Sequence, residues 1–101
     1  MADYVLTERA ADDLDEIYAY SFKNFGEAAA DEHLLALHDC FRALAKGRLV
    51  GRSADDIQSG LYKHRLAKHV VFYLPDNGGI LVVRTLHAAM DFSRHLDSGA
   101  V

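Results

Sequence analysis

The stretch GLYKHRLAKHVVFYLPDNGGILVVRTLH, residues 60–87, sets the architecture. Val70 to Leu74 is a continuous run of strand formers, and Ile80 to His87 is β-branched again. Between them, Pro75 to Gly79 reads Pro-Asp-Asn-Gly-Gly, a tight-turn composition. Leu61 to Leu66 mixes apolar and basic side chains and adds a third strand, so the segment predicts an antiparallel meander.

Upstream, residues 47–60 read as a loop, with three glycines, Ser53 and Ser59. Before it, Ala30, Leu34, Leu37, Phe41 and Leu44 recur at steps of four and three, the period of a helix with one apolar stripe. Glu27 lies in its first turn, and Lys46 followed by Gly47 marks its end. An earlier helix carries Leu14, Ile17, Tyr18, Phe22 and Phe25, with Asp12, Asp13, Asp15, Glu16 and Lys23 between them. Tyr18, Phe22 and Phe25 are expected in the core. The first helix starts at Glu8 after Thr7, a capping residue, and stops at Gly26. A single glycine between two helices implies an antiparallel hairpin. Tyr4-Val5-Leu6 is a short opening strand, a short helix is expected at 91–96, and the tail 97–101 should fray. The order β-α-α-β-β-β predicts an α+β fold with the hairpin on one face of a small twisted antiparallel sheet.

The chain has 101 residues, half of them hydrophobic. It is expected to form one domain over 1–101, burying roughly 60–65% of its unfolded surface. Cys40, the only cysteine, has no disulfide partner within the chain, which suits a reducing, cytoplasmic setting. The first fifteen residues lack the basic start and apolar run of a secretion signal, and no stretch approaches a membrane span. Charge is uneven: residues 1–46 hold ten acidic and four basic side chains, whereas 47–101 hold five acidic and seven basic. The net charge of −4 argues against a protein that grips many phosphates.

Three motifs in this order resemble the ParE-like toxins of the RelE/ParE superfamily over nearly the whole chain. The first is YVLTERAADDLDEIYAYSFKNFGEAAA at 4–30, the second is the meander quoted above, and the third is Leu86-His87-Ala88-Ala89-Met90-Asp91. The family commonly carries arginines where this chain has Leu74 and Ala89. The resemblance implies the toxin of a type II toxin-antitoxin pair. Such a toxin would poison DNA gyrase without being an enzyme, and a ParD-like antitoxin would neutralise it in a hetero-oligomer that touches DNA only through the antitoxin. One alternative is a ribosome-dependent endoribonuclease of the RelE type; another is an antitoxin-binding homologue without toxicity.

Lys63, Arg65, Lys68 and Arg84, with His64, His69 and His87, make the one cluster suited to recognition or chemistry. Alternation puts Lys63 and Arg65 on one face; if Arg84 shares it, three cations form a surface for acidic antitoxin residues. The plainer reading is a solvated sheet face. In the ribonuclease alternative, Arg65 and Arg84 would hold the phosphate, His87 would be the acid, and Asp55 or Asp56 the base. Against it, His87 has no aromatic or second base beside it in sequence. No metal or cofactor is expected: His33 and His38, five apart on a helix, point in different directions, and Cys40 reads as a packing residue.

Overall fold

The computed structural model of the protein describes residues 3–89. These form β1 (Tyr4–Leu6), α1 (Glu8–Phe25), α2 (Glu27–Ala45), β2 (Arg52–Ser53), β3 (Tyr62–Leu66), β4 (His69–Asp76) and β5 (Gly79–His87). The strands make one sheet in the order β1-β5-β4-β3-β2, with the helical hairpin packed on one face, the α+β layering expected. Two details differ from expectation. β1 runs parallel to β5, with Tyr4 opposite Ile80 and Leu6 opposite Val82, so the sheet is mixed. The 47–60 loop also contains β2, which pairs antiparallel with β3 and forms an edge. The helix expected at 91–96 and the tail at 97–101 lie outside the described residues.

Local chemistry accounts for the boundaries. The Thr7 hydroxyl accepts from the Ala10 amide at 3.0 Å and donates to the Val83 carbonyl at 2.8 Å, capping α1 while tying its start to β5. Gly26, at φ +90°, ends α1 and starts α2 without a loop. The β4–β5 turn is tighter than expected. Asn77 (φ 47°) and Gly78 (φ 79°) form the two-residue connection, and Pro75 and Asp76 belong to β4. Pro75 is tolerated because β3 reaches only as far as Tyr73, leaving β4 with one strand neighbour there.

The sheet is covered on both faces. Ala10, Leu14, Leu37, Phe41 and Leu44 pack on Val71, Tyr73, Ile80 and Val82 beneath the hairpin. On the other face Ala54, Leu61 and the partly buried Ile57 cover Val70, Phe72, Val83 and Leu86. Burial on both faces explains why Val70 to Tyr73 is apolar without alternation. Between Phe72 and Tyr73 the register jumps from Phe72 opposite Arg84 to Tyr73 opposite Val82, a bulge at Val83.

The core reading of Tyr18, Phe22 and Phe25 is corrected. Phe22 and Phe25 are 50% and 69% exposed, and the half-buried Tyr18 donates its hydroxyl to Asp31 at 2.6 Å. The core draws on α1 only as far as Ile17, so its last turns project beyond the packed layer.

Candidate functional site

The projecting end of α1 forms one wall of an open groove of about 690 Å³ between hairpin and sheet. Ile17, Tyr20 and Phe25 supply apolar surface from α1, His33 faces it from α2, and Lys68 and His69 come from the β3–β4 turn and the start of β4. Its floor is an ion pair. Arg84 donates from Nε and Nη2 to the two carboxylate oxygens of Asp13, both at 2.8 Å, and the Thr85 amide donates to the same carboxylate at 3.0 Å. Both residues are buried. The bulge sets both Val83 and Arg84 against Phe72, so that Val83 packs on the far face while Arg84 reaches back to the helix. Asp13 raises the Arg84 pKa through this hydrogen bonding, fixing the guanidinium as a cation.

Three imidazoles line the groove in a row. The His33 and His69 ring centres are 5.3 Å apart, and those of His69 and His87 are 5.7 Å apart. Burial lowers the His69 pKa, and His33 and His87 lower it further by charge repulsion, so its neutral form is favoured. Its Nδ1 is buried and has no hydrogen-bond partner among the described residues. The His87 Nδ1 accepts from the Ala89 amide at 3.1 Å. Among the described residues no set of three or more His, Cys, Asp or Glu side chains is placed to hold a metal ion. His38 meets the Tyr4 hydroxyl instead, and Cys40 is buried, which raises its thiol pKa.

The candidate cations do not share one surface. Arg84 is buried against α1, whereas Lys63 and Arg65 lie on β3, opposite Phe72 and Val70, whose side chains pack on the face away from the helices. Arg65 is exposed and donates from Nε to the Ala67 carbonyl at 2.9 Å, while Lys68 lies exposed on the groove rim. The ribonuclease constellation is likewise split. Arg84 and His87 line the groove, whereas the Asp55 carboxylate accepts from the Gly60 amide at 2.8 Å in the loop covering the opposite face, and Asp56 lies in that loop too. His87 does have a second base beside it, since His69 is its partner across the strands. Sequence reasoning missed Asp13, His33 and the open aromatics Tyr20 and Phe25. Asp13 carried a signal, because its three-residue step from Ala10 places it on the buried face of α1.

The sequence matches the family described as "ParE toxin of type II toxin-antitoxin system, parDE" over residues 4–92. "Toxin ParE1" of Mycobacterium tuberculosis is 33% identical over 94 residues, covering 92% of this chain and 96% of that protein. "Toxin ParE" of Escherichia coli is 32% identical over 97 residues, 95% of this chain and 94% of that one. A solved chain described as "Chromosomal ParDE TA system from P. aeruginosa" superposes with a TM-score of 0.73 at 20% identity, covering 86% of this chain and 96% of that one, a likeness of fold. On a match that includes the opening strand, the hairpin and the whole meander, the chain belongs to the ParE toxins of type II toxin-antitoxin systems.

Proposed function

We propose that this toxin arrests bacterial growth in the cytoplasm by poisoning DNA gyrase, and that a ParD-like antitoxin neutralises it in a hetero-oligomer by laying an amphipathic segment into the groove between hairpin and sheet. The observation that carries the antitoxin half is the groove itself, where Tyr20 and Phe25, 65% and 69% exposed, flank an apolar trough rimmed by Lys68. Large exposed aromatics beside a concave apolar surface favour an amphipathic helix presenting apolar side chains at i, i+3, i+4 and i+7. Lys68 at the rim would meet acidic antitoxin residues. Arg84 contributes from beneath, as the cation that fixes Asp13 in the floor. DNA contact would come through the antitoxin alone, in line with the net charge of −4.

The non-enzymatic half is supported by the commitment of Arg84. A guanidinium already neutralised by a bidentate carboxylate is poorly placed to stabilise a reacting phosphate, and the candidate bases Asp55 and Asp56 belong to the loop on the other face. His87→Ala separates the readings. If the toxin is an inhibitor, the folded variant still arrests growth; if His87 were a general acid, its loss would cost about 10²- to 10⁴-fold in rate and abolish toxicity. The direct test is calorimetry of the purified chain with the product of the adjacent gene, followed by a supercoiling assay with purified gyrase. Tight binding in the first and inhibition in the second are expected. No binding would sink the antitoxin assignment, and cleavage of ribosome-bound mRNA with unimpaired supercoiling would replace gyrase as the target.

A further inference from the structure

A second surface lies along the β2 edge of the sheet, and the groove does not account for it. Between α2 and β2 the chain runs Lys46-Gly47-Arg48-Leu49-Val50-Gly51-Arg52, with three cations and no acid. The segment is held firmly against the sheet. The Gly51 amide donates to the Tyr73 hydroxyl at 2.8 Å, and a Cβ added at Gly51 would lie 2.8 Å from the Lys63 carbonyl oxygen. Arg52 is directly opposite Lys63 in the β2–β3 ladder, an arrangement in which like charges repel. None of Arg48, Arg52 and Lys63 pairs with a carboxylate among the described residues, where the ion pairs are Arg42–Asp39 and Arg84–Asp13. Beside them Val50 is 82% and Leu49 37% exposed.

Cations alone on an edge strand are a common guard against sheet-to-sheet pairing. A guard does not need two exposed aliphatic residues, which weaken it. The combination of uncompensated positive charge and open aliphatic surface is what a protein interface presents before it is covered. Nucleic acid fits it less well, because Leu49 and Val50 give nothing to a phosphate backbone and residues 46–52 include no aromatic side chain for a base to stack upon.

We infer that the ridge formed by Arg48, Arg52 and Lys63 with Leu49 and Val50 is a second docking surface, separate from the antitoxin groove, and that it binds an acidic, aliphatic-bearing segment of the toxin's target protein. The inference rests on the toxin reading and adds where the target is held. Neutralisation and toxicity then use different surfaces, so substitutions can separate them.

The test uses the full chain in four forms: wild type, Arg52→Glu with Lys63→Glu, Val50→Asp, and the conservative pair Arg52→Lys with Lys63→Arg. Each is checked for folding by circular dichroism and thermal melting, then for growth arrest on induction and for affinity to its antitoxin. The expected result is that the charge-reversed and Val50→Asp forms are folded and bind antitoxin as wild type does. Both should need roughly tenfold or more expression to arrest growth, while the conservative pair arrests normally. Undiminished arrest by the charge-reversed form overturns the proposal, as does a parallel loss of antitoxin affinity, which would merge the two surfaces. If wild type retards a short DNA duplex and the charge-reversed form does not, the ridge is a nucleic-acid site and the proposal is wrong. Absence of growth arrest by wild type would remove the toxin reading itself, and this inference with it.

Discussion

Asp13 accepts two hydrogen bonds from Arg84 and one from the Thr85 amide while nearly inaccessible to water, so its removal takes these three bonds from a buried guanidinium and a buried amide. Asp13→Ala is therefore expected to destabilise the domain by about 3–5 kcal/mol, read from urea denaturation. Adding Arg84→Met should recover most of that loss, because the buried charge that Asp13 neutralises disappears with it. A cost below about 1 kcal/mol for the single variant would mean that Arg84 finds another partner. The position of Asp13 on the inward side of α1 was legible from its spacing to Ala10, but its role was not. Its partner lies 71 residues away and reaches it past a bulge that no local pattern announces. His69 is a second residue whose behaviour depends on distant neighbours: His33 from α2 and His87 from β5 face it, with Lys68 beside it and Asp13 and Glu16 lining the same groove from α1. Its folded pKa lies below that of an unfolded histidine, so the unfolded state binds more protons in mild acid. The contribution is fully present above the unfolded value of about 6.5 and is lost as the pH falls through it towards the folded value. Urea midpoints should thus drop between about pH 7.5 and about pH 5.5, and less steeply in His69→Gln. Equal slopes would free His69 of that role.

At the level of elements, the two glycines of the β4–β5 turn differ in what they supply. Gly78 provides a left-handed backbone at φ 79°, and a Cβ there would meet nothing within 4 Å. Gly79 provides space: an added Cβ would fall 1.8 Å from the Asp3 carbonyl oxygen, which accepts the Ile80 amide at 3.1 Å where β1 joins β5. The obstacle at Gly79 is backbone and cannot swing aside. Gly78→Ala should cost about 1–2 kcal/mol from conformation alone, with β1 in place. Gly79→Ala should cost about 1–3 kcal/mol and also release β1, seen as faster exchange of the Thr7 amide, which donates to the Val82 carbonyl at 3.1 Å. Unchanged exchange there would show that β1 shifts without parting from β5. The Asn-Gly turn, both helices, the Thr7 cap and the three meander strands were legible because each is coded within a few neighbouring residues. The parallel pairing of β1, the two-residue β2 and the strand character of Pro75 were not, because they depend on which strands lie alongside.

For the molecule as a whole, the charge asymmetry read in the sequence becomes geometry. The acidic first half folds into the hairpin, with Glu16 and Asp13 facing the groove, while Arg48, Arg52 and Lys63 gather at the far edge of the sheet. The groove itself was only partly legible. Two layers of unequal length imply a trough between them, but helical periodicity assigned Phe22 and Phe25 to the core because it cannot tell where the sheet beneath α1 ends. Since Phe25 is largely exposed, replacing it removes little buried area within the toxin, and Phe25→Gln should leave folding stability within about 0.5 kcal/mol. If the antitoxin covers the groove, the same ring becomes an anchor filling a desolvated pocket in the complex. Its loss should then cost about 2 kcal/mol, roughly a thirtyfold weaker dissociation constant by calorimetry. The two measurements together locate the effect: a stability loss would return Phe25 to the core, and unchanged affinity would take this wall of the groove out of the antitoxin interface. Reversing charge at Lys68, alone and together with the neighbouring Arg65, probes the rim instead. It should slow association at low salt and have little effect at high salt, because screening removes the long-range attraction while the aromatic contact survives it. A groove recognised mainly by charge would give the opposite ranking, with Phe25→Gln mild and the rim variants severe, and the amphipathic segment proposed here would have to be replaced by a purely acidic one.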